Sequence, residues 1–481
     1  MKIKPLTTAL LINPPTGKYI RGEDRCQVPV EDLTATVSRM PLDLAYIAAG
    51  LVNEGIRTYI RDYPAEEKDV SDFYFDLLNL KPDLLLVSAT MFTLSSDILI
   101  LKLAKNNFPG LITVIKGVSA DFWKEKLLSS NPEIDMVLSG EYELTLPLLY
   151  KGSSWDKIPG LSYRRGNEIY ISDKEPIVLN LDSLPFPART LLNNQLYIRP
   201  DTGEPMTTIQ TSRGCPYQCI YCLASIVSGS KVRLRSPVNI VNEIEVCVRE
   251  HHISNFFFRA DTFTLNKKWV SEIALELKKH QLRINYVANS RVDTIDEELV
   301  QILKESGCFL MSLGIESGCE KSLELMKKGT NLNQGIEAVR LLKKYGIKTY
   351  LFFMIGFPWE KKEDIDSTIN YSLSLDGDFV EFHIPVPFEK TELRETMEKD
   401  NLLVNNNPFP SSSSIFSHAI PVMGTKYLSA EELLKMRKKA IIKFYLRPKY
   451  LVRTLFKSKS LKEIINYVKY GFRRIIKLFF K

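Results

Sequence analysis

The sequence predicts an α/β chain made of two parallel-sheet modules followed by a helical tail. Three observations predict it. Residues 1–150 alternate short apolar runs with helical patterns, residues 205–395 do so again at a longer period, and the last 35 residues are strongly cationic. With 481 residues, 44% of them hydrophobic, the chain can bury two or three cores, which excludes a disordered or collagen-like molecule.

In the first module (1–150) the strand candidates are 9–12, 58–60, 84–87, 112–115 and 136–138, with helical patterns at 42–51, 73–80, 98–103 and 144–150. Short apolar runs between turn residues suit strands buried on both faces. Their alternation with helices implies a doubly wound, flavodoxin- or Rossmann-like sheet. Ligands of such sheets sit beyond the carboxyl ends of the strands. Those ends here carry Asn13-Pro-Pro15, Ser88-Ala-Thr90, Lys116-Gly-Val-Ser119 and Ser139-Gly-Glu-Tyr-Glu143, loops suited to a polar cofactor. The opening Met1-Lys-Ile-Lys is followed by a short apolar run, but Asn13-Pro-Pro15 ends it and no small-residue cleavage site follows, so it is read as a first strand.

Residues 151–204 mix Pro, Gly, charges and strand-like pieces such as Ile169-Tyr-Ile171, and are read as a bridging segment too apolar for a free tether. After it comes Thr211-Ser-Arg-Gly-Cys-Pro-Tyr-Gln-Cys-Ile-Tyr-Cys222, which sets Cys215, Cys219 and Cys222 at Cys-x3-Cys-x2-Cys spacing. Soft thiolates select iron–sulfur clusters or zinc. The next soft donors, Cys247 and His251, fall inside a helical pattern, so a cubane held here keeps one iron open. Free cysteines or an incomplete zinc site are the alternatives. The other four cysteines (Cys26, Cys247, Cys308, Cys319) are scattered, which is no disulfide framework, and a cubane implies the reducing cytoplasm.

The second module (205–395) offers strands at 207–211, 256–258, 284–287, 309–313, 349–355 and 379–382, with helices at 238–250, 268–279, 297–306 and 334–345 between them. Six βα units imply a partial (β/α)6 barrel, whose chemistry belongs at the carboxyl ends of its strands. Those ends read Arg259-Ala-Asp-Thr-Phe263, Asn289-Ser-Arg291, Gly314-Ile-Glu-Ser-Gly318 and Gly356-Phe-Pro-Trp-Glu360.

The cysteine loop, with aromatic Tyr221 just before its last cysteine, resembles the radical S-adenosylmethionine (SAM) superfamily. The resemblance implies a [4Fe-4S] cluster on Cys215, Cys219 and Cys222 whose open iron is chelated by the amino and carboxylate groups of SAM. Reductive cleavage of SAM then yields a 5′-deoxyadenosyl radical. It also implies SAM contacts: Gly314, Glu316 and Ser317 at the ribose or amino acid, Ile355, Phe357 and Pro358 around adenine, Tyr221 through its backbone, Arg291 at the carboxylate, and Asp261 nearby.

The first module resembles the cobalamin-binding domain of B12-dependent radical SAM enzymes in 42–55 and in Gly140-Glu-Tyr-Glu143. That likeness implies cobalamin over Asn13, Ser88, Thr90, Gly117, Ser139, Gly140 and Glu141. The chain departs from the pattern, since its first histidine is His251 and the loop from Lys116 to Asp121 keeps one glycine, Gly117. No histidine of this domain can therefore ligate cobalt, and a vestigial sheet that binds nothing is the alternative. The implied function is methylation, rearrangement or cyclisation of an unactivated carbon in a natural-product, tetrapyrrole or lipid substrate, with an electron donor such as flavodoxin or ferredoxin. A methylthiotransferase or RNA-modifying enzyme would need a second cysteine triad or an RNA-binding module. Neither is found, and no nucleic-acid partner is expected.

Beyond the barrel (396–481), Asn405–Ser414 reads as a surface loop and 429–446 as a helix. From Arg447 onward there are eleven Lys or Arg and one acid, so the tail carries +10 of the net +7 and the remainder −3. Leu461, Ile464, Ile465, Val468, Phe472, Ile475, Ile476 and Phe479 repeat at helical spacing, with Lys462, Lys469, Arg473 and Lys477 off that stripe. The stripe either docks on the body or lies in an anionic leaflet at the inner face of the membrane.

Overall fold

The computed structural model describes residues 6–21, 38–151, 153–173, 176–404, 423–457 and 460–480. The loop expected at 405–414 and Cys26 lie outside them. The chain divides into two compact units, with the boundary between Tyr197 and Ile198. No helix among the described residues is long and apolar enough to cross a membrane.

In the first unit β1 (Thr8–Asn13), β2 (Arg57–Asp62), β3 (Leu84–Ser88), β4 (Ile112–Lys116) and β5 (Met136–Leu138) alternate with α1 (Leu42–Asn53), α2 (Val70–Leu80), α3 (Leu94–Asn107) and α4 (Val118–Ser130); α5 (Thr145–Tyr150) follows β5. Strand alternation separates two cores. Ala9, Leu11, Leu84 and Leu86 pack with α1 and α5, while Leu10, Ile12, Leu85 and Val87 pack with α2, α3 and α4. Each such side chain is fully buried, a contribution of about 1.5–3 kcal/mol apiece for the leucines, Ile12 and Val87 and less for Ala9. Helix α2 starts on a capping box in which the Asp69 carboxylate accepts from Ser71 and Asp72 N–H groups and Asp72 returns the bond.

The segment expected as a bridge is part of this unit. β6 (Leu161–Arg165) pairs antiparallel with β5 and β7 (Glu168–Tyr170) antiparallel with β6, giving the order β2-β1-β3-β4-β5-β6-β7. The boundary expected at residue 150 therefore moves to Tyr197. The physical reason is the open edge of β5: a short hairpin pairs its exposed backbone groups at once.

The second unit opens with β8 (Met206–Gln210) and β9 (Ser212–Arg213), then α6 (Ala224–Val227), β10 (Arg233–Leu234) and α7 (Pro237–His251). It continues with β11 (Asn255–Arg259), α8 (Lys267–Lys279), β12 (Asn285–Arg291), α9 (Glu297–Glu305), β13 (Cys308–Glu316), α10 (Glu320–Leu325) and α11 (Leu332–Lys344). β14 (Lys348–Met354), α12 (Lys362–Leu375), β15 (Phe379–His383), α13 (Glu392–Lys399), α14 (Ala430–Tyr445), α15 (Pro448–Lys457) and α16 (Leu461–Phe480) complete it. The six long strands are all parallel and stand in chain order from β8 to β15. This is the expected partial barrel, and its strand ends bring Gln210, Arg259, Arg291, Glu316, Met354 and His383 to one end.

Six strands do not close, so β15 is left as an edge, and α14 covers it. Leu433, Met436, Ala440, Ile441 and Phe444 join the barrel core. The Tyr445 hydroxyl bonds both backbone groups of Val380, at 2.9 Å to the N–H and 2.8 Å to the carbonyl. Arg437 Nε donates to the Phe382 carbonyl at 2.7 Å. The edge that a barrel would pair is thus satisfied by side chains.

Candidate cluster and cofactor sites

The cysteine loop leaves the barrel after β8 and is tied down along its length. Ser212 and Arg213 pair with Leu234 and Arg233 in a two-stranded ribbon. Gly214 N–H donates to Asp261 Oδ2 at 2.9 Å, Cys215 N–H to the Gly229 carbonyl at 3.0 Å, and Ile220 N–H to the Met326 carbonyl at 3.2 Å. Asp261, expected near SAM, therefore holds the loop just ahead of the first cysteine. The three thiols are unbridged and half-exposed. No three His, Cys, Asp or Glu side chains among the described residues converge on a single ion. A cubane does not ask that of them, because each thiolate takes a different iron.

Around the loop the charge suits such a group. Lys328 is raised above its ordinary value: burial pushes it down, but attraction to Glu316 and to the Cys219 sulfur outweighs burial. Its Nζ stands 2.7 Å from Glu316 Oε1, with both side chains buried. Tyr221 titrates far above its usual range through desolvation, then the nearby Glu316, Cys219 and Cys222 charges, so its hydroxyl keeps its proton and hydrogen-bonds to Glu316.

Glu316 adopts the left-handed conformation, φ 68°, at a register shift in β13. Gly314 makes this possible, since a Cβ there would fall 2.4 Å from Glu316 Oε1 and 2.8 Å from Lys328 Nζ. The Gly314-Ile-Glu-Ser-Gly318 pattern thus folds a carboxylate back over its own strand end. Ser317 is fully buried, its Oγ 3.1 Å from Thr368 Oγ1 and accepting from Cys319 N–H at 3.1 Å, so its hydroxyl is engaged inside the fold.

Arg291 is likewise engaged. Its Nε and Nη2 each lie 2.9 Å from an Asp293 carboxylate oxygen, Nη2 also reaches the Lys328 carbonyl at 2.7 Å, and its guanidinium stacks 3.5 Å from the Tyr217 ring centre. Two of its donors are thereby committed to Asp293, and what it presents to the site is a fixed positive charge beside the loop.

Ile355 belongs to the barrel core, whereas Phe357 sits in a separate apolar cluster with Ile220, Met326, Leu393, Met397 and Met423. The Phe357 ring meets Tyr221 edge-on at 5.7 Å and stacks on Trp359 at 5.2 Å, with Pro358 buried between them in sequence. Glu360 closes this loop from inside. It accepts from the N–H groups of Gly356 (2.7 Å) and Phe357 (3.1 Å) and from Ser322 Oγ (3.0 Å). Burial pushes its carboxyl up to about 7, against the lowering effect of those donors.

In the first unit the register that pairs Ile12 with Val87 makes Asn13 and Ser88 neighbours at the ends of β1 and β3. This is the switch point of the sheet, where β1 runs between β2 and β3. Asn13 Oδ1, Ser88 Oγ and, at the start of α4, Ser119 Oγ are buried and lack a hydrogen-bond partner among the described residues. Gly117 is required between β4 and α4, because at φ 129° a Cβ would lie 2.2 Å from the Ala89 carbonyl oxygen. Orphaned polar atoms beside a glycine cradle fit a polar ligand.

The remaining candidates there are engaged within the unit. Thr90 Oγ1 bonds Thr93 Oγ1 at 2.8 Å, Ser139 Oγ donates to the Gly160 carbonyl at 3.2 Å, Gly140 N–H donates to Asp121, and Glu141 Oε2 accepts from Val178 N–H at 2.6 Å.

Of three buried groups beside these strand ends, Arg21 and Asp62 escaped the sequence reading, and Lys116 was named there only as the start of a loop. Lys116 forms an ion pair with Asp43 and lies 3.1 Å from the Tyr142 hydroxyl. Arg21 Nη1 donates to the Ser88 carbonyl at 2.6 Å and pairs with Asp97 at 3.2 Å. Asp62 accepts from the Tyr197 hydroxyl at 3.1 Å, and burial, stronger than that bond and the one from Asn13, raises its carboxyl to about 6. Each pair joins residues far apart in sequence and has no periodic signature; for Lys116 the one visible signal was its position at the end of an apolar strand.

The family model of the radical SAM superfamily matches residues 209–371, the span from β8 into α12. An uncharacterized methyltransferase of Pyrococcus horikoshii is 34% identical over 93% of this chain and 94% of its own length. An anaerobic magnesium-protoporphyrin IX monomethyl ester cyclase of Cereibacter sphaeroides is 27% identical over 85% of this chain and 67% of its own. Among solved structures, the cobalamin-dependent SAM radical enzyme OxsB, with aqua-cobalamin and SAM bound, matches 98% of this chain and 72% of its own at a TM-score of 0.71 and 16% identity, a likeness of fold. With the cysteine loop at the mouth of a six-stranded parallel barrel and a relative this similar over nearly its whole length, the chain belongs to the radical SAM superfamily and is a radical SAM enzyme.

Proposed function

We propose that this enzyme carries out cobalamin-dependent methylation of an unactivated carbon in a small-molecule or lipid substrate, with electrons from a donor of the flavodoxin or ferredoxin kind. Three orphaned polar atoms of the first unit, Asn13 Oδ1 and Ser88 Oγ at the switch point and Ser119 Oγ at the start of α4, carry the reading. The methyltransferase named in Pyrococcus horikoshii supports methyl transfer. Cyclisation is the second reading, favoured by the likeness to the Cereibacter cyclase.

When bound, the cluster and SAM supply one-electron cleavage of the sulfonium, and the corrinoid supplies a methyl carrier. The chain's own residues hold and orient. Cys215, Cys219 and Cys222 would ligate the cluster. Glu316, fixed by Lys328 and Tyr221, presents one carboxylate to SAM, while Gly314 and the Ser317 backbone allow close approach. Phe357, Pro358 and Trp359 wall one side and exclude water. Asn13, Ser88 and Ser119, with the Gly117 turn, would hold the polar periphery of the corrinoid, and this unit would offer its cobalt no imidazole because the first histidine is His251. The cationic tail would hold this cytoplasmic enzyme at the inner face of the membrane.

Anaerobic reconstitution tests it. The protein should take up one corrinoid per chain, and electron paramagnetic resonance of the cob(II)alamin state should lack nitrogen splitting from a protein imidazole. The double change Asn13→Ala, Ser88→Ala should weaken corrinoid uptake at unchanged iron content. No uptake by the wild type would overturn the cobalamin reading, and imidazole splitting would overturn the axial assignment. Metabolite comparison of a deletion strain identifies the substrate.

A further inference from the structure

Helix α16 is docked by its polar face. Lys348 Nζ, at the first residue of β14, lies 2.8 Å from Glu463 Oε1 and 2.9 Å from the Tyr467 hydroxyl, which itself donates to Glu463 at 2.7 Å. Asn466 Nδ2 donates to the Asp201 carbonyl at 2.8 Å. At 100° per residue, positions 463, 466 and 467 share one side of the helix and 461, 465 and 468 the other. That other side is apolar and open: Leu461 is 73% exposed, Ile465 56% and Val468 60%. Phe472, Ile475, Ile476 and Phe479 continue the stripe in sequence, but their side chains lie outside the described residues.

Helix α15 is held in the same manner. Arg453 donates to the carbonyls of Asp376 (2.9 Å) and Gly377 (2.8 Å) and pairs with Asp376 Oδ2 at 2.6 Å, and the Tyr450 hydroxyl donates to the Asp378 carbonyl at 2.9 Å. Leu451, Val452 and Phe456 remain exposed, Phe456 at 87%. A terminal helix that merely completes a core buries its stripe and shows its charges to water. Here Glu463, Asn466, Tyr467 and Arg453 face the protein, and Leu461, Ile465, Val468, Leu451, Val452 and Phe456 do not.

We propose that α15 and α16 form an interfacial plate that seats the barrel on an anionic lipid leaflet by the amino-terminal end of its strands. The inference rests on the cytoplasmic, membrane-adjacent reading above and adds the contact face and the orientation. Charge selects the occupant. Lys462 and Lys469 are exposed beside the stripe, and the tail from Arg447 carries eleven cations against one acid. Two such tails of +10 would repel as a dimer, whereas anionic headgroups attract them and the acyl region takes the stripe. Lys348 begins β14 and Asp201 precedes β8, so the clasp lies at the end of the barrel opposite the cysteine loop. The seven residues of β14 rise about 3.3 Å each, which separates clasp and site by roughly 20 Å. A substrate therefore reaches the loop from the aqueous side, after leaving the bilayer.

Flotation with phosphatidylglycerol-rich and with pure phosphatidylcholine vesicles tests this on the full chain. The wild type should float with the anionic vesicles alone, less at high salt, and the triple change Leu461→Glu, Ile465→Glu, Val468→Glu should weaken that binding at least tenfold. These positions are exposed, so folding is not at stake. On vesicles, amide hydrogen exchange should slow in α15, α16 and the turn at 201–203 and stay unchanged at 211–222. Equal flotation of wild type and triple variant, or no flotation of either, overturns the proposal. So does a concentration-dependent dimer that the triple change abolishes without lipid, which would assign the face to a second copy. Protection of the cysteine loop on vesicles overturns the orientation. Iron content and SAM cleavage, measured without vesicles, report separately on the enzymatic reading.

Discussion

Lys328 Nζ and Glu316 Oε1 meet at 2.7 Å beneath the cysteine loop, both side chains buried and both held by elements distant in function from ordinary salt bridging: a left-handed turn at the end of β13 and the segment after α10. The pair is a support for the loop, because Lys328 also senses the Cys219 sulfur and its carbonyl receives Arg291.

Lys328→Met should therefore leave the Glu316 carboxylate buried without its cation. Removing one partner of a buried pair costs about 3–5 kcal/mol, so the urea midpoint should fall and SAM should bind more weakly. Adding Glu316→Gln should recover part of the stability and none of the SAM affinity, which separates the two roles. A single variant as stable as the wild type, with unchanged affinity, would refute the support role.

What the sequence made legible were periodic and local features. Five strands alternating with helices and then six more specified the parallel strands of both sheets, because buried strands need apolar runs and helices need a stripe. The Cys-x3-Cys-x2-Cys spacing of Cys215, Cys219 and Cys222 was legible because it is local in the chain and needs no tertiary contact to be seen. Lys328, Arg21 and Asp97 were not, since a buried ion pair is a relation between distant positions that neither residue announces. The hairpin of β6 and β7 was read as a bridge because its strands are short and half polar, as edge strands are. Likewise Arg291 and Ser317 stand at the strand ends that the sequence indicated, yet which groups they touch depends on Asp293 and Thr368.

Cys219→Ala should remove both the cubane and SAM cleavage, since two thiolates cannot retain the cluster. Lys328 and Arg291 should stay folded around the loop, which is tied by backbone bonds from Gly214, Cys215 and Ile220 that do not involve the Cys219 side chain. Circular dichroism should thus match the wild type while iron analysis falls to background. Full iron content with 5′-deoxyadenosine still formed would sink the ligand assignment.

Arg21 and Asp97 form the least exposed ion pair among the described residues of the first unit, at 1% and 0% side-chain exposure, with Thr16 and Thr93 completing the Asp97 carboxylate. Arg21→Met should destabilise this unit by about 3–5 kcal/mol, since it removes one partner of a buried ion pair and leaves Asp97 without its cation. Arg21→Met with Asp97→Leu should restore much of it. Limited proteolysis of residues 38–197 measures the effect, and a single variant as resistant as the wild type would contradict it.

Glu360 gives a pH dependence whose sign can be worked out. Its carboxyl titrates at about 7 in the fold against an ordinary 4.5, because burial disfavours the charged form. Between those values the native chain keeps a proton that the unfolded chain has lost, so stability falls as pH rises from 4.5 to 7, and the loss is complete above 7. At 1.36 kcal/mol per unit the loss is about 3 kcal/mol. Glu360→Gln keeps an oxygen for the Gly356 and Phe357 N–H groups and an amide for Ser322, and carries no charge at any pH. Other buried acids, such as Asp62, contribute equally to both proteins, so the difference between them isolates Glu360. Urea midpoints should coincide near pH 4.5 and diverge towards pH 8 with the variant the more stable. A constant difference across that range would show that Glu360 is charged in the fold, and that the Gly356 and Phe357 amides, not burial, set its titration.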